Sequence, residues 1–143
     1  LSKIINISSI VLIVALVIVT FFLIRITIGL NINSHKEEIR IMNLVGGSNS
    51  FIKLPFILEG LFYGIAGGVI GASLLIIPWY ILMYYTQGTD FAVFITETLK
   101  SFDLGFLMRA DLLFLLIYYA IHMVVGGLIG VISSLSAVRK YLE

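Results

Sequence analysis

The feature that most constrains this chain is an uncharged apolar run of 21 residues, from Ile4 to Ile24. A helix of that length is about 30 Å long, the thickness of the hydrocarbon core of a bilayer. Two further long apolar runs follow, at about 54–85, which contains Glu59, and at 112–138. With 60% hydrophobic and 12% charged residues, the chain is too apolar for a soluble domain. The sequence therefore predicts an all-α membrane protein with three transmembrane helices.

A segment at about 34–53 separates the first two spans and mixes charged with apolar residues. Ile39, Met42 and Val45 recur at helical spacing as an apolar stripe, which predicts an amphipathic helix of about three turns beside the membrane. The polar side of this predicted helix carries Lys36, Glu37, Arg40 and Asn43.

The ends of this segment carry turn and capping signals. Ser34-His35-Lys36-Glu37 matches a capping box, although the first helix could also run through it. Gly46-Gly47 is expected to stop the amphipathic helix with a residue of positive φ, and Ser48 to cap the next helix. Pro55 is expected in the first turn of the second span, where a missing amide costs little, and Pro78 is expected to kink it.

Small residues recur at four-residue intervals in the second and third spans. Such spacing permits close helix packing, although glycine is also tolerated generally in membrane helices. The glycines predicted to pack are Gly60, Gly64, Gly67, Gly68, Gly71, Gly126 and Gly130.

The loop at 87–109 contains apolar residues at helical spacing: Phe91, Phe94, Ile95, Leu99 and Phe102. They predict a short amphipathic helix, which either lies on the membrane surface or packs on the outer ends of the spans.

The distribution of Lys and Arg predicts the orientation. The segment between spans one and two and the C-terminus together carry six basic residues: Arg25, Lys36, Arg40, Lys53, Arg139 and Lys140. The opposite side carries Lys3, Lys100 and Arg109. We therefore expect the central segment and the C-terminus to be cytoplasmic and Leu1 to be outside. Such a start is explained most simply if an upstream helix precedes this chain.

Several functions find no support in the composition. There is no cysteine, no P-loop motif and no His-Glu-x-x-His, and a net charge of +1 suggests no nucleic-acid partner.

His122 lies mid-span, where it either bonds a neighbouring helix or shares a proton relay with Asp111. Glu59, near the mouth of the second span, must reach water or a cation such as Lys53 or Arg40. It either snorkels to the headgroups or makes a fixed contact that ties the segment at about 34–53 to the span.

One motif resembles a known family. It reads Glu37-Glu38-Ile39-x-x-Met42-x-Leu44-Val45-Gly46-Gly47, followed by Phe51-Ile52-x-x-Pro55-Phe56-x-x-Glu59-Gly60. This pattern is similar to the C-terminal membrane part of the FtsX-like permeases. The chain departs from the family where Gly47 replaces the usual Ala, and where Gly29 stands in place of an Arg ahead of the motif.

The resemblance implies a four-helix membrane subunit of an ABC complex, of which residues 1–143 would be helices two to four. A first helix and a large extracytoplasmic domain would then precede Leu1. The family is a homodimer in the cell membrane that binds two copies of a cytoplasmic ATPase, FtsE. FtsE carries the ATP and magnesium, so this chain would bind no cofactor and catalyse no reaction.

The residues implied to dock the ATPase are Lys36, Glu37, Glu38, Ile39, Arg40, Met42, Leu44, Val45 and Gly46. Pro55, Phe56 and Glu59 would couple that segment to the span. Motion relayed outward would regulate a peptidoglycan hydrolase during cell division. The alternatives are a subunit of a MacB-type or lipoprotein-releasing exporter, and a stand-alone small membrane protein without an ATPase.

Overall fold

The computed structural model describes residues 2–103, 105 and 111–142. These residues form helices joined by turns, and no strand occurs among them. The helices are α1 (Ser2–Ser34), α2 (Lys36–Leu44), α3 (Asn49–Tyr85), α4 (Asp90–Ser101) and α5 (Leu112–Leu142). Three of them, α1, α3 and α5, are long and apolar enough to cross a membrane. The predicted all-α membrane fold with two short amphipathic helices is confirmed. Arg109 lies outside the described residues.

The helices begin and end differently from the predicted apolar runs. Helix α1 continues past Ile24 to Ser34, and α3 already begins at Asn49. Pro55 therefore lies in the second turn of α3, and its prediction as a first-turn residue is wrong. Helix α3 also continues through Pro78 to Tyr85. At 37 residues α3 is about 55 Å long, which exceeds the thickness of a bilayer core.

The predicted capping box is absent. Because Ser34 remains inside α1, its hydroxyl turns back and donates to the carbonyl of Asn31 at 2.8 Å, and α2 starts without a side-chain cap. The other two predictions for this segment are confirmed. Gly46 has a φ of 83°, and Ser48 Oγ accepts a hydrogen bond from the amide of Phe51 at 3.2 Å.

Helices α3 and α5 pack against each other in antiparallel register. Facing residues recur every fourth position: Phe56 with Ser134, Gly60 with Gly130, Gly64 with Gly126, Gly68 with His122 and Ala72 with Tyr118. A Cβ added to Gly64 would lie well under 3.0 Å from the carbonyl oxygen of Gly126, and one added to Gly126 would meet the carbonyl of Gly64. The two backbones thus touch directly, as small residues permit.

Hydrogen bonds close both ends of this contact. Ser134 is fully buried and its Oγ donates to the carbonyl of Phe56 at 2.6 Å. At the other end, Tyr118 Oη donates to the carbonyl of Ala72 at 3.2 Å, and the hydroxyls of Ser73 and Tyr119 lie 3.0 Å apart. Each bond joins a side chain on one helix to a polar group on the other, so the register is fixed at both ends.

The predicted series of packing glycines divides into two sets. Gly60, Gly64 and Gly68 line the α3–α5 contact, whereas a Cβ at Gly67 or Gly71 would meet nothing within 4 Å. The contact follows the ridge of every fourth residue, which rotates around α3 by about 40° at each step. Gly67 and Gly71 lie off that ridge, so the structure does not bring them into the contact.

Helix α1 packs against this pair near the C-terminal end of α5. Ile28 and Ile32 are buried there, and Gly29 packs against the ring of Tyr141 in α5. Residues 3–20 of α1 are all exposed. At the opposite end of the bundle, α4 is capped by Thr89 and lines a cavity of about 460 Å³ together with Trp79 of α3.

Candidate coupling site where α2 meets the three spans

The main buried cluster lies beneath α2. Ile39 is only 8% exposed and is the α2 residue in this cluster. Each of the three spans contributes to it: Ile28 and Ile32 from α1, Ile52 and Phe56 from α3, and Ala137 and Val138 from α5. Helix α2 is therefore anchored by one side chain at the place where all three spans converge.

The opposite side of α2 is open. Ile41, Leu44 and Val45 are 60%, 79% and 79% exposed, an unusual amount for apolar side chains outside a span. Charged side chains surround them, and all are exposed: Lys36, Glu37 and Arg40. The result is a small apolar patch with a charged rim, which we call the outer face of α2.

The residues predicted to dock the ATPase lie on different sides of α2. Ile39 points into the bundle and is buried there, which leaves little of its side chain free for the expected contact with a partner. Met42 and Glu38 line a cleft of about 330 Å³ between α2 and the start of α3, while Leu44 and Val45 lie on the outer face. The physical reason is rotation: residues 39 and 45 are six positions apart, which is about 120° around a helix. Gly46 forms the turn that follows.

Glu59 connects two spans. Asn31 on α1 donates its side-chain amide to Glu59 Oε2, and Tyr63 on α3 donates its hydroxyl to Oε1 at 3.0 Å. The carboxylate is half-buried and lines the cleft beneath α2. Of the expected cations, Lys53 lines a separate small cavity with Leu142. Glu59 thus has a fixed contact, which joins α3 to an amide on α1 and not to the central segment as expected.

Asn31 is the site residue that sequence reasoning missed. It is a half-buried polar residue in a stretch flanked by Ile28 and Ile32, both of which are buried. A polar side chain beside buried positions near the end of a span needs a hydrogen-bonding partner, and this signal was present in the sequence. The remaining predicted coupling residues divide: Phe56 is buried in the cluster, whereas Pro55 is exposed beside the cleft.

His122 makes a bond within its own helix. Its Nδ1 donates to the carbonyl of Tyr118 at 2.8 Å, and its ring centroid lies 4.4 Å from that of Tyr118. The expected bond to a neighbouring helix is wrong, because the ring nitrogen bonds the carbonyl one turn earlier in α5. Asp111 is eleven residues away, about 16 Å along the axis, so the two side chains do not meet. In the described part of the chain, no group of His, Asp and Glu could hold a metal ion.

The amino-acid sequence of this chain matches a family model and several named proteins. The model of the FtsX-like permease C-terminal region matches residues 10–143. Proteins named Cell division protein FtsX from Bacillus anthracis and Bacillus subtilis are 35% and 34% identical to the chain over 94% and 99% of its length. The protein of that name from Streptococcus pneumoniae is 34% identical over 90%. The chain spans 38–45% of these relatives. No solved structure matches.

Proposed function

This chain belongs to the FtsX-like permease family, and we propose that the whole protein is the membrane subunit of an FtsE–FtsX-like ABC complex. In this proposal an FtsE-like ATPase binds α2 from the cytoplasm, and its ATP-driven motion is relayed across the membrane to regulate peptidoglycan hydrolysis in cell division. The chain itself binds no nucleotide and is not catalytic, because ATP and magnesium belong to the ATPase.

The observation that carries the proposal is the position of Ile39. It anchors α2 in a cluster to which α1, α3 and α5 all contribute. A displacement of α2 would therefore change the packing of every span in this cluster. This is the connection that a relay needs, because a packed cluster transmits a shift of one member to the others.

The composition of the outer face of α2 supports the proposal that the ATPase docks there. Leu44 and Val45 are the most exposed of its apolar residues, and charged side chains surround them. An apolar centre with a charged rim is the usual composition of a protein interface. We therefore propose that Lys36, Glu37, Arg40, Ile41, Leu44 and Val45 contact the ATPase, and that Ile39 supports them from behind.

The continuity of α3 supports the proposal that motion is relayed outward. It is continuous from Asn49, four residues after Val45, to Tyr85 at the far side. The turn between α2 and α3 is short and is closed by the hydrogen bond from the Gly47 amide to the Met42 carbonyl at 2.8 Å. A rigid helix attached by a tight turn carries displacement along its full length of about 55 Å.

The orientation and assembly complete the proposal. We place α2 and the C-terminus in the cytoplasm because most Lys and Arg residues lie on that side. A second copy of the chain would form a homodimer, with lipid covering the remaining apolar surface. The partner outside would be a peptidoglycan hydrolase or its activator, reached through the extracytoplasmic domain that the family resemblance implies. Division is favoured over export because the relatives reported above carry a cell-division name.

The test is co-purification of the full-length protein with its partners in mild detergent. We expect Leu44→Asp to abolish recovery of a P-loop ATPase, because a charge would be placed at the centre of the outer face. The matched control is Ser50→Asp, which adds the same charge at an exposed position in the first turn of α3, where it favours the helix. Undiminished ATPase recovery with Leu44→Asp would show that the outer face is not the docking surface.

A further inference from the structure

A cleft of about 510 Å³ lies between α1 and α5 and shares no lining residue with the buried cluster beneath α2. Three of its lining residues are cations, namely Arg25, Arg139 and Lys140, and three are apolar, namely Phe21, Ile132 and Leu135. We propose that this cleft binds the phosphate group of an anionic phospholipid, with the start of an acyl chain against its apolar wall.

The order of residues along both helices matches the profile of a lipid. Arg25 directly follows the uncharged run 4–24, and Arg139 directly follows a stretch at 112–138 without Asp, Glu, Lys or Arg. Both cations are therefore at the level where hydrocarbon gives way to headgroups. Phe21 lies one turn before Arg25, and Leu135 one turn before Arg139, so the apolar wall is on the bilayer side of the cations.

The two arginines lack a counter-charge among the residues that the structure describes. Within residues 2–103, 105 and 111–142, no carboxylate forms an ion pair with Arg25 or Arg139, and Arg25 is half-buried. A guanidinium in that position needs an anion, because partial burial without one is costly. Its planar fork of donors fits phosphate oxygens. Lys140, whose Nζ lies 5.3 Å from the centroid of the Tyr141 ring, adds a third positive charge at the rim.

The composition of the cleft walls favours a phospholipid over a soluble phosphate as the ligand. Ile132 and Leu135 are exposed inside the apolar part of α5, where a bilayer would supply acyl chains. A soluble phosphate would use the cations and leave this wall unoccupied, whereas a phospholipid uses both. Basic pockets between membrane helices are known to hold anionic headgroups. The leaflet follows from the orientation proposed above, but the site itself does not depend on the ATPase.

The test uses the full-length protein in mild detergent, with bound lipids counted by native mass spectrometry. The probes are dioleoyl-phosphatidylglycerol, which is anionic, and dioleoyl-phosphatidylcholine, which has the same chains but no net charge. We expect phosphatidylglycerol to be retained more strongly. The double variant Arg25→Gln/Arg139→Gln is expected to lower its affinity roughly tenfold or more, because each cation near a lipid surface contributes about 1 kcal/mol.

Two control variants make the result specific. Lys36→Gln/Arg40→Gln removes the same charge from exposed positions on α2 and is expected to keep the wild-type affinity. Arg25→Lys/Arg139→Lys keeps the charge and is expected to keep most of the affinity. All variants are checked for unchanged helix content by circular dichroism, since the substituted groups lie at the surface of a cleft.

Three outcomes would overturn the site. The first is an equal loss of phosphatidylglycerol in the Lys36→Gln/Arg40→Gln control, which would indicate general charge attraction. The second is displacement of the lipid by inorganic phosphate at matched concentration, which would indicate a soluble anion as the ligand. The third is absence of any preference for phosphatidylglycerol in the wild type, as expected if another part of the protein covers the cleft.

Discussion

The side-chain amide of Asn31 donates a hydrogen bond to the carboxylate of Glu59, and this bond joins α1 to α3 across 28 positions of sequence. Tyr63 donates to the other carboxylate oxygen from one turn along α3. Both carboxylate oxygens are thereby satisfied at a half-buried site beneath α2.

Replacing Asn31 with Leu is expected to lower the free energy of unfolding of the bundle by about 1–3 kcal/mol, because a half-buried carboxylate then loses a donor. The measurement is unfolding in mild detergent by added sodium dodecyl sulfate, followed by circular dichroism. Asn33→Leu is the control, since Asn33 is exposed two residues further along the same helix. Equal losses in the two variants would mean that the bond to Glu59 does not stabilise the bundle.

Replacing Gly64 with Ala is expected to cost about 1–3 kcal/mol in the same assay, because the new Cβ would overlap the carbonyl of Gly126 and separate α3 from α5. Gly67→Ala makes the same chemical change three residues away, where nothing lies within 4 Å. That control is expected to be neutral or to gain up to about 1 kcal/mol from helix propensity. A cost for Gly67→Ala as large as for Gly64→Ala would contradict the described register.

Replacing Ile39 with Ala is expected to loosen α2 from the bundle, because the side chain is the anchor of that helix in the buried cluster. Hydrogen exchange of the amides at 36–44 is expected to become at least about tenfold faster, in line with the cost of deleting a buried aliphatic group. Ile41→Ala, at a position that is 60% exposed, should leave exchange nearly unchanged. Similar exchange in both variants would place the anchor elsewhere.

Gly29 and Tyr141 are expected to show energetic coupling. A Cβ at Gly29 would lie under 3.0 Å from the ring of Tyr141, so Gly29→Val should destabilise the contact between α1 and α5. Combining it with Tyr141→Ala should recover part of that loss, with an interaction energy of about 0.5–3 kcal/mol. The measurement is a double-mutant cycle in the unfolding assay, and strict additivity would exclude direct contact.

The long spans could be predicted from the sequence because length and apolar composition alone identify them. The glycines at 46 and 47 and Ser48 were also readable, since a helix end and the next helix start each have a local chemical signature. These features depend on residues close together in sequence. Whatever depends on a neighbouring helix was harder to predict.

The orientation of α2 is the clearest example of that limit. Ile39 and Ile41 are the same residue type two positions apart, yet one is buried and the other is exposed. An amphipathic pattern shows that a helix has two sides, but it does not identify which of two apolar groups faces the protein when both sides carry Ile or Leu. The partner of Glu59 has the same difficulty, since no local pattern relates position 31 to position 59.

The glycine pattern was ambiguous for a related reason. Gly64 and Gly68 form one series at four-residue spacing and Gly67 and Gly71 form another, so α3 alone permits either. The choice is made by α5, where Gly126 and Gly130 have the matching spacing and face the first series. Two helices determine a contact together, and a single helix sequence shows only half of it.

Helix α1 packs on the bundle near one end, while its residues 3–20 are exposed. Helix α1 meets α5 around Gly29, from which it extends about 8 Å to Ser34 and about 40 Å to Ser2. When a rod turns about a fixed point, the displacement of each end is proportional to its distance from that point. A rotation about this contact that moved Ser34 by 1 Å would therefore move the other end of α1 by roughly 5 Å, so that a small movement beside α2 would become a large one at the opposite end of the span.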